Sequence, residues 1–96
     1  MIYHIATSED WNEHQHDSSY VPAGYAKEGF IHCSTSEQVP GVLQRYYAGV
    51  KNLLLLHIDE DKLTAELKYE EATNHKLFPH VFGAINKDAI MKTEHL

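Results

Sequence analysis

The largely apolar run from Ile2 to Ala6, with polar His4 at its centre, reads as a first strand. Ile2, His4 and Ala6 share one face and Tyr3 and Ile5 the other. Thr7 with Asp10 three residues on forms a loose capping box, and Glu9 and Asp10 suit the positive end of a helix. A helix is therefore predicted over about 9–16, anchored by Trp11. The next twelve residues, 17–28, are polar and contain Pro22 and Gly24, so they read as a loop with a short extended piece near Tyr20 and Val21. Phe30 to Cys33 is a second strand. Ser34/Glu37 and Thr35/Gln38 are overlapping capping boxes that open a second helix running to about Ala48. Val39, Val42, Leu43, Tyr46 and Tyr47 make the core-facing stripe of that helix. Pro40 is tolerated in its first turn, and Gly49 suits its C-terminal end.

The stretch 52–58 carries four consecutive leucines, which predicts a central strand buried on both faces. Asp59 to Leu63 reads as a turn. Ala65 to Tyr69 alternates, with Leu67 and Tyr69 expected inward and Glu66 and Lys68 outward. Residues 70–76 form a polar loop. Leu77 to Ile85 is apolar but broken by Pro79 and Gly83, which predicts short strand pieces around a bend. Asp88 to Thr93 completes the chain as an edge strand. Strands outnumber helices without alternating with them. The expected fold class is thus α+β: a single small domain over residues 1–96, with a bent, mainly antiparallel sheet and two main helices.

Composition narrows the function. The 96 residues carry 14 acidic and 8 basic side chains, a formal net charge of -6, and the cations are scattered singly. Nucleic acid binding needs clustered cations and is disfavoured. No apolar run approaches the ~20 residues of a membrane span, and no secretion signal is read at the N-terminus. With the single Cys33, these features lead us to expect a cytoplasmic protein.

The candidate chemistry lies mostly in histidines. Eight are present, and His14, His16, His75 and His95 stand in polar, surface-like surroundings. His4 is either a strand histidine satisfied by one hydrogen bond or a ligand-binding or acid/base group. His32 has the same two readings and ends a strand at a capped helix, where first-turn amides can receive an anionic group. Ser34 and Thr35 either cap those amides or turn toward a ligand. Cys33 is expected as a small buried residue on the face opposite His32. His57 is expected to find a local partner. His80 is presented by the bend that Pro79 and Gly83 shape. Glu70 and Glu71, after Tyr69, are either a solvated pair or include a carboxylate that serves as base or holds a ribose hydroxyl. No metal-binding spacing joins His4, His32, His57 and His80, so the metal signal is weak, although zinc sites do not require local spacing.

Tyr3-His4, the run Gly29 to Thr35 with Gln38, Ile58-Asp59, Tyr69-Glu70 and Phe78-Pro79-His80-Val81-Phe82-Gly83 occur in the order seen in the bacterial family called domain of unknown function 952, which this chain resembles over nearly its whole length. Tyr3 to Thr7 also resembles the Tyr-His-Gly-Thr strand of ADP-ribosyltransferases. Phe30 to Ser34 resembles the His-bearing strand of the RNA 2′-phosphotransferase branch of that superfamily. The resemblance implies an ADP-ribosyltransferase-like split sheet with NAD as cofactor. It implies His32 and Glu70 as catalytic residues, the latter polarising a ribose hydroxyl, with His4 on the adenine-side ribose and Tyr69, His80 or Phe82 walling the pocket. Ser34 and Thr35 would complete the binding set. Ile5 stands where the pattern has Gly, and Arg45 is the chain's one arginine, which sets it apart from the phosphotransferase branch.

Three functions follow as expectations. One is an ADP-ribosyltransferase-like enzyme, or a reduced form of one, binding NAD or a related nucleotide. Another is a non-catalytic module for a small ligand or peptide. The third is a hydrolase with a metal held by His4, His32 and His80. The sequence names neither the substrate nor an oligomeric state.

Overall fold

A computed structural model describes residues 1–96 and every side chain except that of Thr73. Two three-stranded antiparallel sheets form the frame. In the first, β4 (Leu53–Ile58) lies between β1 (Ile2–Thr7) and β8 (Ile90–His95). In the second, β6 (Leu77–Phe82) lies between β3 (Ile31–His32) and β5 (Glu66–Glu71). A two-residue pair, β2 (Ser19–Tyr20) with β7 (Ile85–Asn86), closes one side.

The leucine strand is central, as its composition predicts. Leu54, Leu56 and Ile58 enter the larger core with Ile2, Ala6, Ile31 and Val81. Leu53 and Leu55 face the other way, onto Ile5 and helix α3 (Val39–Tyr46). Val39, Val42, Leu43 and Tyr47 of the expected stripe meet that second cluster. Tyr46 does not: it is 61% exposed. The helix ends two residues earlier than expected, with Tyr47 as its cap, and Gly49 takes a left-handed φ of 78° in the turn beyond.

Helix α1 (Ser8–Glu13) begins at the expected cap, where the Asp10 amide donates to Thr7 Oγ1 at 3.1 Å. Residues 14–16 form a turn instead of its continuation. A further short helix, α2 (Tyr25–Glu28), lies in the stretch read as loop and closes on Gly29 at φ 82°. Of the two capping boxes, half of one is made: the Thr35 amide donates to Gln38 Oε1 at 3.0 Å.

Residues 77–82 correct an expectation, because they form one continuous central strand with Pro79 inside it. In a strand a residue's N–H and C=O point to the same neighbour. The Pro79 carbonyl accepts from the Cys33 amide at 3.0 Å, so its missing N–H also faces the end of β3. That ladder is ending there, and the β5 ladder needs nothing from it. The bend comes only at Gly83, whose φ is 154°. Tyr69 is a second correction. It was expected inward but is 45% exposed, with its hydroxyl donating to Glu60 Oε2 at 3.1 Å.

One bridge joins the two sheets. After Cys33 the chain leaves β6 and crosses to β1, where Tyr3 and Ser34 exchange amide-to-carbonyl bonds of 2.8 and 2.7 Å. This seam sets His4, beside Tyr3, against His32, two residues before Ser34.

Candidate functional site

A cavity of about 510 Å3 opens along this seam. Its volume lies within the usual range for small-molecule sites. His4, His32, Ser34 and His80 line it, four of the residues singled out by sequence. The aromatic rings of Tyr20, Tyr25, Phe30 and Phe78 supply much of the remaining wall. Four predicted site residues lie elsewhere. Phe82 packs against Phe30 outside the lining. Thr35 borders a smaller neighbouring pocket. Tyr69 turns to Glu60. Glu70 stands behind the wall, where its Oε1 meets His80 Nδ1 at 2.9 Å.

His4 is 7% exposed and points, with Ile2 and Ala6, toward the space between the sheets. Its Nδ1 lies 2.6 Å from the His32 carbonyl. A carbonyl only accepts, so Nδ1 carries the proton and donates. Burial, above all, pushes the imidazole down to about 4, so the ring is neutral at physiological pH and Nε2 is a bare acceptor. Among the described residues, that atom has no partner.

Two further buried polar atoms share this condition: Tyr20 Oη and His80 Nε2. Tyr20 is fully buried, with its ring 5.7 Å from that of His4 and 5.4 Å from that of Trp11. Burial raises its phenol well above the ordinary range, so it is an O–H donor. His80 is 4% exposed; Nδ1 donates to Glu70, and Phe30 stacks on the ring at 4.2 Å. A buried polar group without a partner costs about 1–3 kcal/mol. Three such atoms, all from residues bordering one cavity, mark a surface built to hydrogen-bond something else.

His32 holds the rim. Its side chain is 59% exposed, and Nε2 meets Glu28 Oε2 at 2.7 Å. Asp10 and Glu28 also border the cavity, while among the described residues no Lys or Arg does. The larger core takes in Cys33, whose thiol burial keeps protonated and inert. His57 finds its local partner in Glu94, at 2.9 Å.

A family model described as protein of unknown function (DUF952) matches residues 5–93. The chain belongs to that family. No curated protein matches it. The X-ray structure of protein CC0527 from Caulobacter crescentus is similar to this DUF952 chain, at 26% identity and a TM-score of 0.87, over 96% of this chain and 82% of that one. The solution NMR structure of CC0527 is similar at 26% identity and a TM-score of 0.84, over 99% and 83% of the two chains. Both come from structural genomics, and their names state no activity.

Among the described residues, no three His, Cys, Asp or Glu side chains are grouped to hold a metal ion. No helix is long and apolar enough to cross a membrane. Sequence reasoning missed Tyr20, Tyr25 and Asp10 as site residues. Tyr20 was visible only as a β-prone residue in a polar stretch. Its role depends on pairing with Ile85, sixty-five residues away.

Proposed function

We propose that this DUF952 protein binds a nucleotide of the NAD class in the cavity between its two sheets, as an ADP-ribosyltransferase-like enzyme or a reduced form of one. The observation that carries this reading is the neutral His4 ring, locked by the His32 carbonyl, with its bare Nε2 buried at the cavity. Such an atom accepts from a hydroxyl or an amide N–H. His80 Nε2, with Nδ1 held by Glu70, is a second buried imidazole nitrogen without a partner among the described residues. Ribose hydroxyls both donate and accept and so suit the two nitrogens, and Tyr20 supplies a donor where the ligand has an acceptor. The aromatic wall suits a planar base or nicotinamide ring.

In this reading Glu70 is a positioning residue that acts through His80. His4 and His80 hold the ligand, Ser34 borders it, and His32 with Glu28 stands at the mouth.

The test is an amide NMR titration of the labelled protein with NAD. Saturable, localised shifts at His4, His32 and His80 are expected. Unchanged spectra at millimolar NAD would sink the reading. A second reading, a non-catalytic module for a phosphate-free small ligand, is favoured by the acidic lining of Asp10 and Glu28 without a cation. Under it, a free nucleoside binds and NAD binds no better.

A further inference from the structure

A smaller pocket of about 250 Å3 lies beside the main cavity. The partition is shared. Ser34 and Tyr46 border the main cavity, while their chain neighbours Thr35 and Arg45 border the smaller one; Ala72 lines the first and Asn74, two residues on, the second. The Phe78 ring borders both.

The two pockets differ in charge. The main cavity carries carboxylates and no cation. The smaller one carries Arg45 and Lys76 against a single carboxylate, Glu37. Among the described residues, neither cation takes part in an ion pair. This is notable in a chain of net charge -6, where carboxylates are plentiful.

Local structure places the Arg45 side chain and the backbone that carries Lys76. Arg45 folds back along α3 over Gly41, where an added Cβ would stand 3.1 Å from Nη1. A glycine inside a helix is unfavourable by itself, and here it makes room for the guanidinium. Lys76 follows a turn in which Asn74 and His75 both take left-handed backbone conformations, with φ of 58° and 60°. Gln38 Nε2 donates to the Leu77 carbonyl at 2.8 Å and ties that turn to the start of α3. Two cations outside any ion pair on one small concave surface suit an anion, and a guanidinium fork suits phosphate oxygens in particular.

We propose that the Arg45–Lys76 pocket binds the phosphate groups of the ligand whose nucleoside end occupies the main cavity. This inference rests on the nucleotide reading and deepens it: the ligand is a phosphorylated nucleotide that crosses the Phe78 partition, with its nucleoside end among the histidines and its phosphates on Arg45 and Lys76.

The experiment is an amide NMR titration at constant ionic strength with three probes: sodium pyrophosphate, nicotinamide riboside and NAD. Pyrophosphate is expected to give saturable shifts at Thr35, Gly41, Asn74 and Lys76. The double variant R45Q/K76Q is expected to weaken pyrophosphate and NAD by at least tenfold and to leave the riboside unchanged. Glu37→Gln removes the opposing carboxylate and is expected to tighten pyrophosphate severalfold. Diffuse, non-saturating shifts, or equal affinity in the double variant, would overturn the anion site. NAD binding at His4 with Arg45 and Lys76 indifferent overturns this inference and leaves the cavity reading standing. Pyrophosphate bound at the pocket with His4 silent to riboside and NAD supports the anion site and overturns the cavity reading.

Discussion

Buried neutral His4 makes the stability of this protein depend on pH in a calculable way. In the unfolded chain the imidazole takes a proton near its ordinary value of 6.5, whereas in the folded protein burial holds it off until about 4. Between those values the unfolded state binds more protons, so folding loses stability as the pH falls. The His4 contribution is present in full above pH 6.5 and is lost as the pH drops toward 4. The gap from 6.5 to about 4, at about 1.4 kcal/mol per pH unit, amounts to about 3 kcal/mol. At pH 5 the loss is already about 2 kcal/mol by the same linkage. That is a large fraction of the 5–15 kcal/mol typical of a small domain. The chain carries other histidines and carboxylates as well. Urea unfolding should therefore be measured at several pH values for the native chain and for His4→Gln, whose amide can still donate to the His32 carbonyl. The difference between the two curves isolates His4, because the other groups are common to both. The native chain should lose about 2 kcal/mol more than the variant between pH 7 and pH 5. Parallel curves, or a His4 ring resonance with a midpoint near 6.5, would refute the burial argument.

Other expected outcomes follow from the same structure. Tyr20→Phe removes a buried hydroxyl without a protein partner. It should hold or raise the urea midpoint while weakening NAD binding, and a clear drop in stability would show that the hydroxyl is structurally satisfied. Leu56→Ala, at a fully buried position of the central strand, should cost about 2–5 kcal/mol in chemical unfolding. Gly83→Ala would set a Cβ 2.9 Å from that of Ala65, at a φ of 154°. It should destabilise by about 1–3 kcal/mol, since backbone has to shift. Cys33, 2% exposed, should react with an aromatic disulfide reagent only as fast as the protein opens, and prompt labelling in native buffer would contradict its burial.

Much of the frame was legible along the chain, because local pattern and final burial agree there. Ile2 to Ala6 and Leu53 to Leu56 are both largely apolar runs, and they become the outer and the central strand of the first sheet, each feeding both core clusters. Thr7 caps α1 through a bond three residues long, which needs no tertiary context. Pro79 misled because the rule against proline in central strands concerns the N–H that is lost. Which neighbour loses it is decided by β3 ending beside it. Tyr69 misled because alternation gives the face of a strand but not whether anything covers that face.

For the candidate site, the sequence determined the residue types and their strand positions: His4, His32 and His80, each in an apolar run. It also determined that the cations are few, and that Arg45 lies on the second helix. The tertiary structure alone decided that the three histidines border one cavity, that Glu70 reaches His80 instead of that cavity, and that Tyr20 joins them. It decided as well that Arg45 and Lys76 share a pocket. The physical reason is range. Capping and alternation are set by neighbours a few residues apart. The seam between the sheets is made by Tyr3 bonding to Ser34 and His4 to the His32 carbonyl, contacts whose partners are specified only once both sheets have folded.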